Sequence, residues 1–350
     1  MSEHKSPETP PRRHRICHLF SSQEIGGLEK HVQEQCRWQL ANTDAEVFVI
    51  AHPRYRHMFD EGVQFLAVNT DRGRRNPILS AILVYLMRRH AFDLVHAHGG
   101  KPAQIMQRIQ GLIPAEVIIT RHNTGNPKDK VSKHFRNRIA VSKRAVKNSQ
   151  LQWEIIPNGT EIPETGDSYR GLLDENRPAV LSVARMVPAK GIDILINAWA
   201  RAEVGDAVLY LLGDGPLHDK VEAQVQSLGV EDSVRFVGFQ RAVADWFPVA
   251  DMMVIASRHE GGPYTVAEAL LADCPVLSTN VGYVSENIPA QYVVPIEDEK
   301  ALAVLITAAL GDPGKLRDSY APYFARARAR LTLDAMARDT WRVYLKALEG

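Results

Sequence analysis

Two carboxylates and a run of small residues concentrate the chemistry that this chain displays. In Ser257-Arg-His-Glu260-Gly-Gly-Pro-Tyr-Thr-Val-Ala-Glu268-Ala-Leu-Leu271, the preceding apolar run Met252–Ala256 reads as a buried parallel strand that ends in a turn. Gly261 and Gly262 allow a tight loop, and Pro263 suits the first helical position, where its missing N–H costs nothing. A helix starting here, with Tyr264 and Thr265 in its first turn, presents unpaired N–H groups to a phosphate or a polarised hydroxyl. Glu260 at the strand's carboxyl end and Glu268, one to two turns into the helix, can meet different parts of one long ligand. Carboxylates accept hydrogen bonds in pairs, as the vicinal hydroxyls of a sugar or ribose require. Acidic residues are also common at helix starts as plain terminal charges, so this stretch alone leaves both readings open.

A second group lies in Leu181-Ser-Val-Ala-Arg185-Met-Val-Pro-Ala-Lys190-Gly191. It places two cations after a strand and before a helix. Arg offers a fork to phosphate oxygens and Lys a compact charge, so the pair can neutralise a diphosphate leaving group without a metal. In the first half, Gly26-Gly27 precedes a helix and would let the backbone approach a ligand, although such a pair is often only a turn. It is neither a G-x-G-x-x-G fingerprint nor a P-loop, which argues against a nicotinamide or ATP site. His96 and His98 fall on one face of a strand, but no third ligand is close in sequence, so zinc is not expected. His96 reads as a structural histidine, His98 as a candidate for a ligand cleft. His122 closes a further strand, Val117–Thr120.

These residues need a scaffold of alternating strands and helices. Ile16–Phe20, Val47–Ala51, Val63–Val68, Leu94–Ala97, Val117–Thr120 and Ile139–Ser142 predict one sheet. Ala179–Ala184, Val208–Gly213, Val234–Val237, Met252–Ala256, Pro275–Ser278 and Tyr292–Pro295 predict a second. A turn-rich segment from Ile156 to Pro178 reads as the linker. The expected organisation is a polar tail, 1–14, an α/β domain over 15–160, a second over 161–332, and a helix from 333 to 350. Doubly wound sheets bind ligands at the carboxyl ends of their strands, and two in tandem do so across the cleft between them.

Length and composition agree with two domains: 350 residues, 45% hydrophobic. The net charge is +1, yet residues 1–160 hold 24 Lys and Arg against 14 acidic residues, and 161–350 hold 18 against 27. A basic front half suits an acidic partner or an anionic membrane surface. Three cysteines without a C-x-x-C pair argue against a disulfide frame or zinc site and for a reducing compartment. The polar, Pro-rich start has no apolar core of a signal peptide, and the longest apolar stretch, Pro77–Met87, is too short to span a bilayer. The expectation is a cytoplasmic protein, peripheral on the inner face of the membrane.

Glu260-x7-Glu268, together with the Arg185 and Lys190 segment, resembles the signature of the retaining nucleotide-sugar glycosyltransferases of the GT-B family numbered four. The resemblance spans roughly residues 15 to 349 and is stronger in the second half. It implies two Rossmann-like α/β domains facing a cleft, with the last helix crossing back to the first. It implies that Glu260 and His122 contact the transferred sugar as catalytic residues, and that Gly27, Arg185 and Lys190 meet the donor diphosphate. It places Gly238 and Phe239 by the base, and Gly261, Gly262, Pro263, Tyr264, Thr265 and Glu268 around the nucleotide and sugar. It also implies retention by front-face substitution, in which the leaving phosphate takes the acceptor's proton. The family often has a different residue at the place of Gly262.

The donor implied is a UDP- or GDP-linked sugar, with no cofactor, no required metal and no nucleic acid partner. The acceptor expected is an anionic glycolipid or oligosaccharide of bacterial surface polysaccharide or lipopolysaccharide synthesis. His98, Arg74 and Arg75 stand on its side. Arg72, Arg74, Arg75, Arg88 and Arg89 flank Pro77–Met87, a helix that could lie in a membrane interface. The competing expectation is that Ile78, Ile82, Leu83 and Leu86 pack on the first sheet. An epimerase or phosphorylase of the same shape, or a non-catalytic nucleotide-sugar or glycan-binding protein, are the alternatives; no pyridoxal-phosphate lysine motif is seen for a phosphorylase.

Overall fold

The computed structural model of the chain describes residues 13–23, 26–162, 173–174 and 176–349. The expected tail up to residue 12 and most of the linker's polar segment, 163–172 and 175, lie outside the described residues.

Thirteen strands are present among them: β1 Arg15–Phe20, β2 Glu46–Ala51, β3 Gln64–Ala67, β4 Leu94–His98, β5 Glu116–Arg121, β6 Asn137–Ala140, β7 Glu154–Ile155, β8 Ala179–Val183, β9 Val208–Leu212, β10 Val234–Gly238, β11 Met252–Ile255, β12 Val276–Thr279 and β13 Val293–Val294. Each expected strand is found within a residue or two. β7, two residues long, has no apolar run to announce it. The strands form two sheets, ordered β3-β2-β1-β4-β5-β6-β7 and β10-β9-β8-β11-β12-β13. In each order the chain starts in the middle and reverses direction once, between β1 and β4 and between β8 and β11. Pairing is parallel, with His18 beside His96 and Leu181 beside Tyr210 and Met253. Every residue of β4 and of β9 is buried; β9 accordingly reads as a continuous apolar run, whereas β4, Leu-Val-His-Ala-His, carries two imidazoles that need partners inside the protein.

Contacts divide the chain into two compact units: Met1–Thr120 with Pro127–Arg138 and Arg342–Gly350, and Arg121–Asn126 with Ile139–Trp341. In the first unit Phe20, Val32, Val47, Val49 and Tyr55 form a core under the helix Gly27–Asn42. The helix Pro77–Arg89 begins as its sequence dictates. Asn76 caps it by accepting from the Leu79 amide at 2.9 Å, and Pro77 takes the first helical position. In the second unit Trp199, Trp246 and Phe247 anchor a larger core, and the Trp199 indole donates to Ser233 Oγ at 3.0 Å. Replacing such a buried ring by alanine costs about 3–5 kcal/mol. No helix among the described residues is long and apolar enough to cross a membrane.

Candidate functional site

β8 and β11 are neighbours at the point where the second sheet's strand order reverses, and the loops leaving their carboxyl ends are where such a sheet binds ligands. The two loops are tied together. The amides of Arg258 and His259 both donate to the Ala189 carbonyl, at 2.8 and 3.2 Å. Gly191, with φ +62°, lies so close to the end of β11 that a Cβ on it would stand 2.1 Å from the Ala256 carbonyl oxygen. Only glycine lets the loop carrying Lys190 come this near. As a result the Lys190 ammonium donates to Glu260 Oε1, which also accepts from Ser257 Oγ at 3.1 Å. The Glu260 side chain is 13% exposed, so this ion pair is screened by solvent less than a surface one.

Arg258 sits between these residues yet is committed elsewhere. It pairs with both Asp193 oxygens at 2.9 and 2.8 Å and with Glu297 at 2.8 Å, and this guanidinium holds the Asp193 carboxyl below its ordinary value.

The loop after Glu260 is fixed by groups distant in sequence. Ser142 Oγ donates to the Gly261 carbonyl at 2.9 Å, Asn158 Nδ2 to that of Gly262 at 2.7 Å, and the Tyr283 hydroxyl to that of Pro263 at 2.8 Å. The helix Tyr264–Leu271 follows, and Pro263 is its extended cap residue. This corrects the expectation that Pro263 is the first helical residue. Its ψ of 120° keeps it out of the helix, and the loop carbonyls already have partners that hold it there. No side chain caps this helix, so its first-turn N–H groups keep the partial positive charge that suits an anion.

Other expected residues fall as follows. His122 is buried, with its backbone against Gly261. Arg185 is exposed just beyond β8. Gly238 ends β10 with φ +76°, and Phe239 beside it is 74% exposed, a large ring available for stacking. Thr265 is half-buried and Glu268 buried. The Tyr264 hydroxyl donates to Met336 Sδ at 3.9 Å, so the side chain is turned into the protein and only its backbone is left for a ligand.

In the first unit Gly27 opens a helix whose start is already occupied by a carboxylate, since Glu29 Oε2 accepts from the Gly26 amide at 2.8 Å. His98 is fully buried. His18 Nε2 lies 3.0 Å from Gln39 Oε1, which can only accept, so that nitrogen carries the proton and Nδ1 accepts from His98 Nε2 at 3.0 Å. His96 bonds the Tyr344 hydroxyl at 2.5 Å and Thr120 Oγ1 at 2.6 Å, the structural role expected for it. Ring nitrogens of His18, His96 and His98 lie within 4.8 Å of one another, so strand pairing supplies the third imidazole that sequence proximity did not. A metal there would have to displace these hydrogen bonds. Burial pushes the His18 imidazole down to about 4.

Arg74 and Arg75 are exposed, and Arg74 donates to Gln104 at 2.8 Å. On the following helix Leu79, Leu83 and Met87 are buried, whereas Ile78 and Tyr85 are 57% and 61% exposed and Ile82 joins them. The expectation that Ile78 and Ile82 pack on the sheet is therefore overturned. The helix has one inward stripe, and these two lie on the other.

Known proteins resemble the chain in both halves. The family described as Glycosyltransferase Family 4 matches residues 25–161, and that described as Glycosyl transferases group 1 matches residues 167–326. The lipopolysaccharide core biosynthesis glycosyltransferase LpsE of Rhizobium meliloti is 29% identical over 220 residues, which is 59% of this chain and 62% of that protein. The match thus spans less than two thirds of that relative's length. Among solved structures, Anabaena Alr3699/HepE in complex with UDP superposes with a TM-score of 0.81 at 19% identity, covering 95% of this chain and all of that one. A glycosyltransferase from Rickettsia africae gives 0.83 at 17% identity, covering 97% and 99%. With both halves matched and two doubly wound parallel sheets in place, the chain belongs to the group 1 glycosyltransferases of family 4, on the GT-B fold.

Proposed function

We propose that the protein is a retaining glycosyltransferase that moves a sugar from a nucleotide-diphosphate sugar to a glycan or glycolipid acceptor in bacterial lipopolysaccharide or surface-polysaccharide synthesis. The observation that carries this is the joined pair of loops at β8 and β11, which sets Lys190 on Glu260 beside an uncapped helix start. The naming of the LpsE relative and the UDP held by the Anabaena neighbour support the acceptor class and the donor class.

In this reading Arg185, Lys190 and the amides at Gly261, Gly262, Tyr264 and Thr265 receive the diphosphate. Phe239, next to Gly238, stacks on the base. Once phosphate oxygens attract Lys190, Glu260 is released to accept hydrogen bonds from sugar hydroxyls, with His122 contacting the same sugar and Glu268 the nucleotide. The bond from the anomeric carbon to the β-phosphate oxygen breaks with its electron pair on the phosphate. The acceptor oxygen bonds the same face of that carbon, and its proton passes to the departing phosphate oxygen. Negative charge grows on the diphosphate as the bond breaks, and fixed cations and amides act most strongly on such charge. No metal is required.

In the first unit, taken by itself, Gly27 offers an amide to a phosphate once the Glu29 carboxylate gives way at that helix start, while His98, Arg74 and Arg75 belong to the acceptor side. The exposed Ile78, Ile82 and Tyr85, between Arg72, Arg74 and Arg75 at one end and Arg88 and Arg89 at the other, suit contact with an anionic membrane surface from the cytoplasmic side. A thermal-shift panel of UDP, GDP, ADP and their sugars, followed by a donor hydrolysis and transfer assay, tests the main reading. Stabilisation by one nucleotide series together with turnover supports it. Binding without turnover would favour a non-catalytic sugar-nucleotide binder.

A further inference from the structure

A second recognition feature lies in the second unit beside Glu260. It is a cleft of about 290 Å³ whose walls include Thr124, Arg144, Lys147, Asn148, His259 and Glu260, all from that unit. Sites for small ligands begin near this size.

Its charges are unevenly distributed. Arg258 also reaches the cleft, but two carboxylates neutralise it. Among the described residues Arg144 bonds only a neutral partner, Asn280 Oδ1 at 3.0 Å, and the exposed Lys147 ammonium makes no hydrogen bond or ion pair. Glu260, which also lines the cleft, is balanced by Lys190. The cleft lining therefore combines two cations that no described carboxylate compensates with a hydroxyl-accepting carboxylate, and adds the amide of Asn148 and the hydroxyl of Thr124 as further partners.

A plain sugar would use the carboxylate and leave the cations without a partner. A bare anion would use the cations and leave the carboxylate without a partner. A sugar carrying an acidic substituent satisfies both. We propose that this cleft is a recognition subsite for an acidic sugar, one bearing a phosphate or carboxylate group, with Arg144 and Lys147 binding the oxyanion. It rests on the reading of Glu260 as the carboxylate that meets the transferred sugar, and it makes an acidic group on that sugar a property read by named side chains.

The test uses the full chain held with saturating UDP or GDP, whichever binds, at constant ionic strength. It is titrated calorimetrically with inorganic phosphate, glucose 6-phosphate, glucuronate and glucose. The three anions should bind and glucose should bind at least about tenfold more weakly, the factor expected for one charge-assisted contact. Comparison of the phosphate and carboxylate sugars distinguishes the two oxyanions. Lys147→Glu, at an exposed position that cannot disturb the core, and Arg144→Gln should each weaken anion binding about tenfold or more and leave nucleotide binding unchanged. Anion binding indifferent to both variants would overturn the proposal. So would glucose binding as well as the acids, or phosphate competing with the nucleotide, which would place it at the diphosphate. If nucleotides fail to bind at all while phosphate binding still depends on Lys147, the anion subsite stands and the glycosyl-transfer reading falls.

Discussion

Gly261 lies against His122 so closely that a Cβ on the glycine would stand 1.6 Å from the histidine's carbonyl oxygen. The contact ties the loop after β11 to the residue that follows β5, and so fixes two expected sugar-contacting residues, Glu260 and His122, with respect to each other. Any side chain at 261 must push backbone against backbone.

Gly261→Ala is therefore expected to lower the melting temperature and abolish most transfer, since an overpacked site of this kind costs about 1–3 kcal/mol. Thermal unfolding and a transfer assay on the purified variant check it. Unchanged melting with full turnover would mean that the loop shifts freely and that its geometry is not set by His122.

Glu260→Ala should cut turnover severely and leave affinity for the bare nucleoside diphosphate nearly intact, because the carboxylate is assigned to the sugar. Calorimetry with the nucleotide against steady-state transfer separates the two. A large loss of nucleotide affinity would move Glu260 onto the diphosphate or the base.

Arg185→Ala and Lys190→Ala should each weaken nucleoside diphosphate binding by about 1.5–3 kcal/mol and hardly affect the nucleoside. Lys190 and Glu260 share an ion pair, so a double-mutant cycle between them should show a coupling of about 0.5–3 kcal/mol. Equal losses for nucleoside and diphosphate would place the phosphates elsewhere.

Acid should destabilise the first unit through His18. Its folded value is held at about 4 by burial, below the 6.5 of an exposed imidazole, so between those values the unfolded chain binds the extra proton. The stability is present in full above about 6.5 and falls with decreasing pH by up to about 1.4 kcal/mol per pH unit until about 4. Urea unfolding at pH 7 and 5 measures it. A His18→Asn variant should show a shallower pH dependence, and an identical slope would assign the acid sensitivity to other groups.

Anionic vesicles should sediment the protein and zwitterionic ones should not. Arg74→Glu with Arg75→Glu, or Ile78→Ser with Tyr85→Ser, should weaken the association, each basic residue near the surface contributing about 1 kcal/mol. Binding that ignores salt and all four changes would assign the basic half another purpose. The same preparations should transfer sugar in the presence of a chelator. Strict metal dependence would direct attention to His18, His96 and His98.

The strands of both sheets were legible because parallel strands covered on both faces are mostly apolar runs, as in β9, and the turns after them hold glycine, proline and polar groups. That is why Arg185, Lys190, Glu260 and Glu268 could be singled out from local spacing, each lying just after a strand or on the helix that follows. The sequence could not say which loops meet. The bonds from Ala189 to Arg258 and His259, the side chains of Ser142, Asn158 and Tyr283 that fix the loop, and the addition of His18 to His96 and His98 all arise from strand order and register, which join residues far apart in the chain. The helix Pro77–Arg89 makes the same point from the surface. Its composition is apolar nearly all round, and only the position of its neighbours decided that Leu79, Leu83 and Met87 are buried while Ile78 and Tyr85 stay exposed. Periodicity determines that a stripe exists; packing determines which stripe faces water.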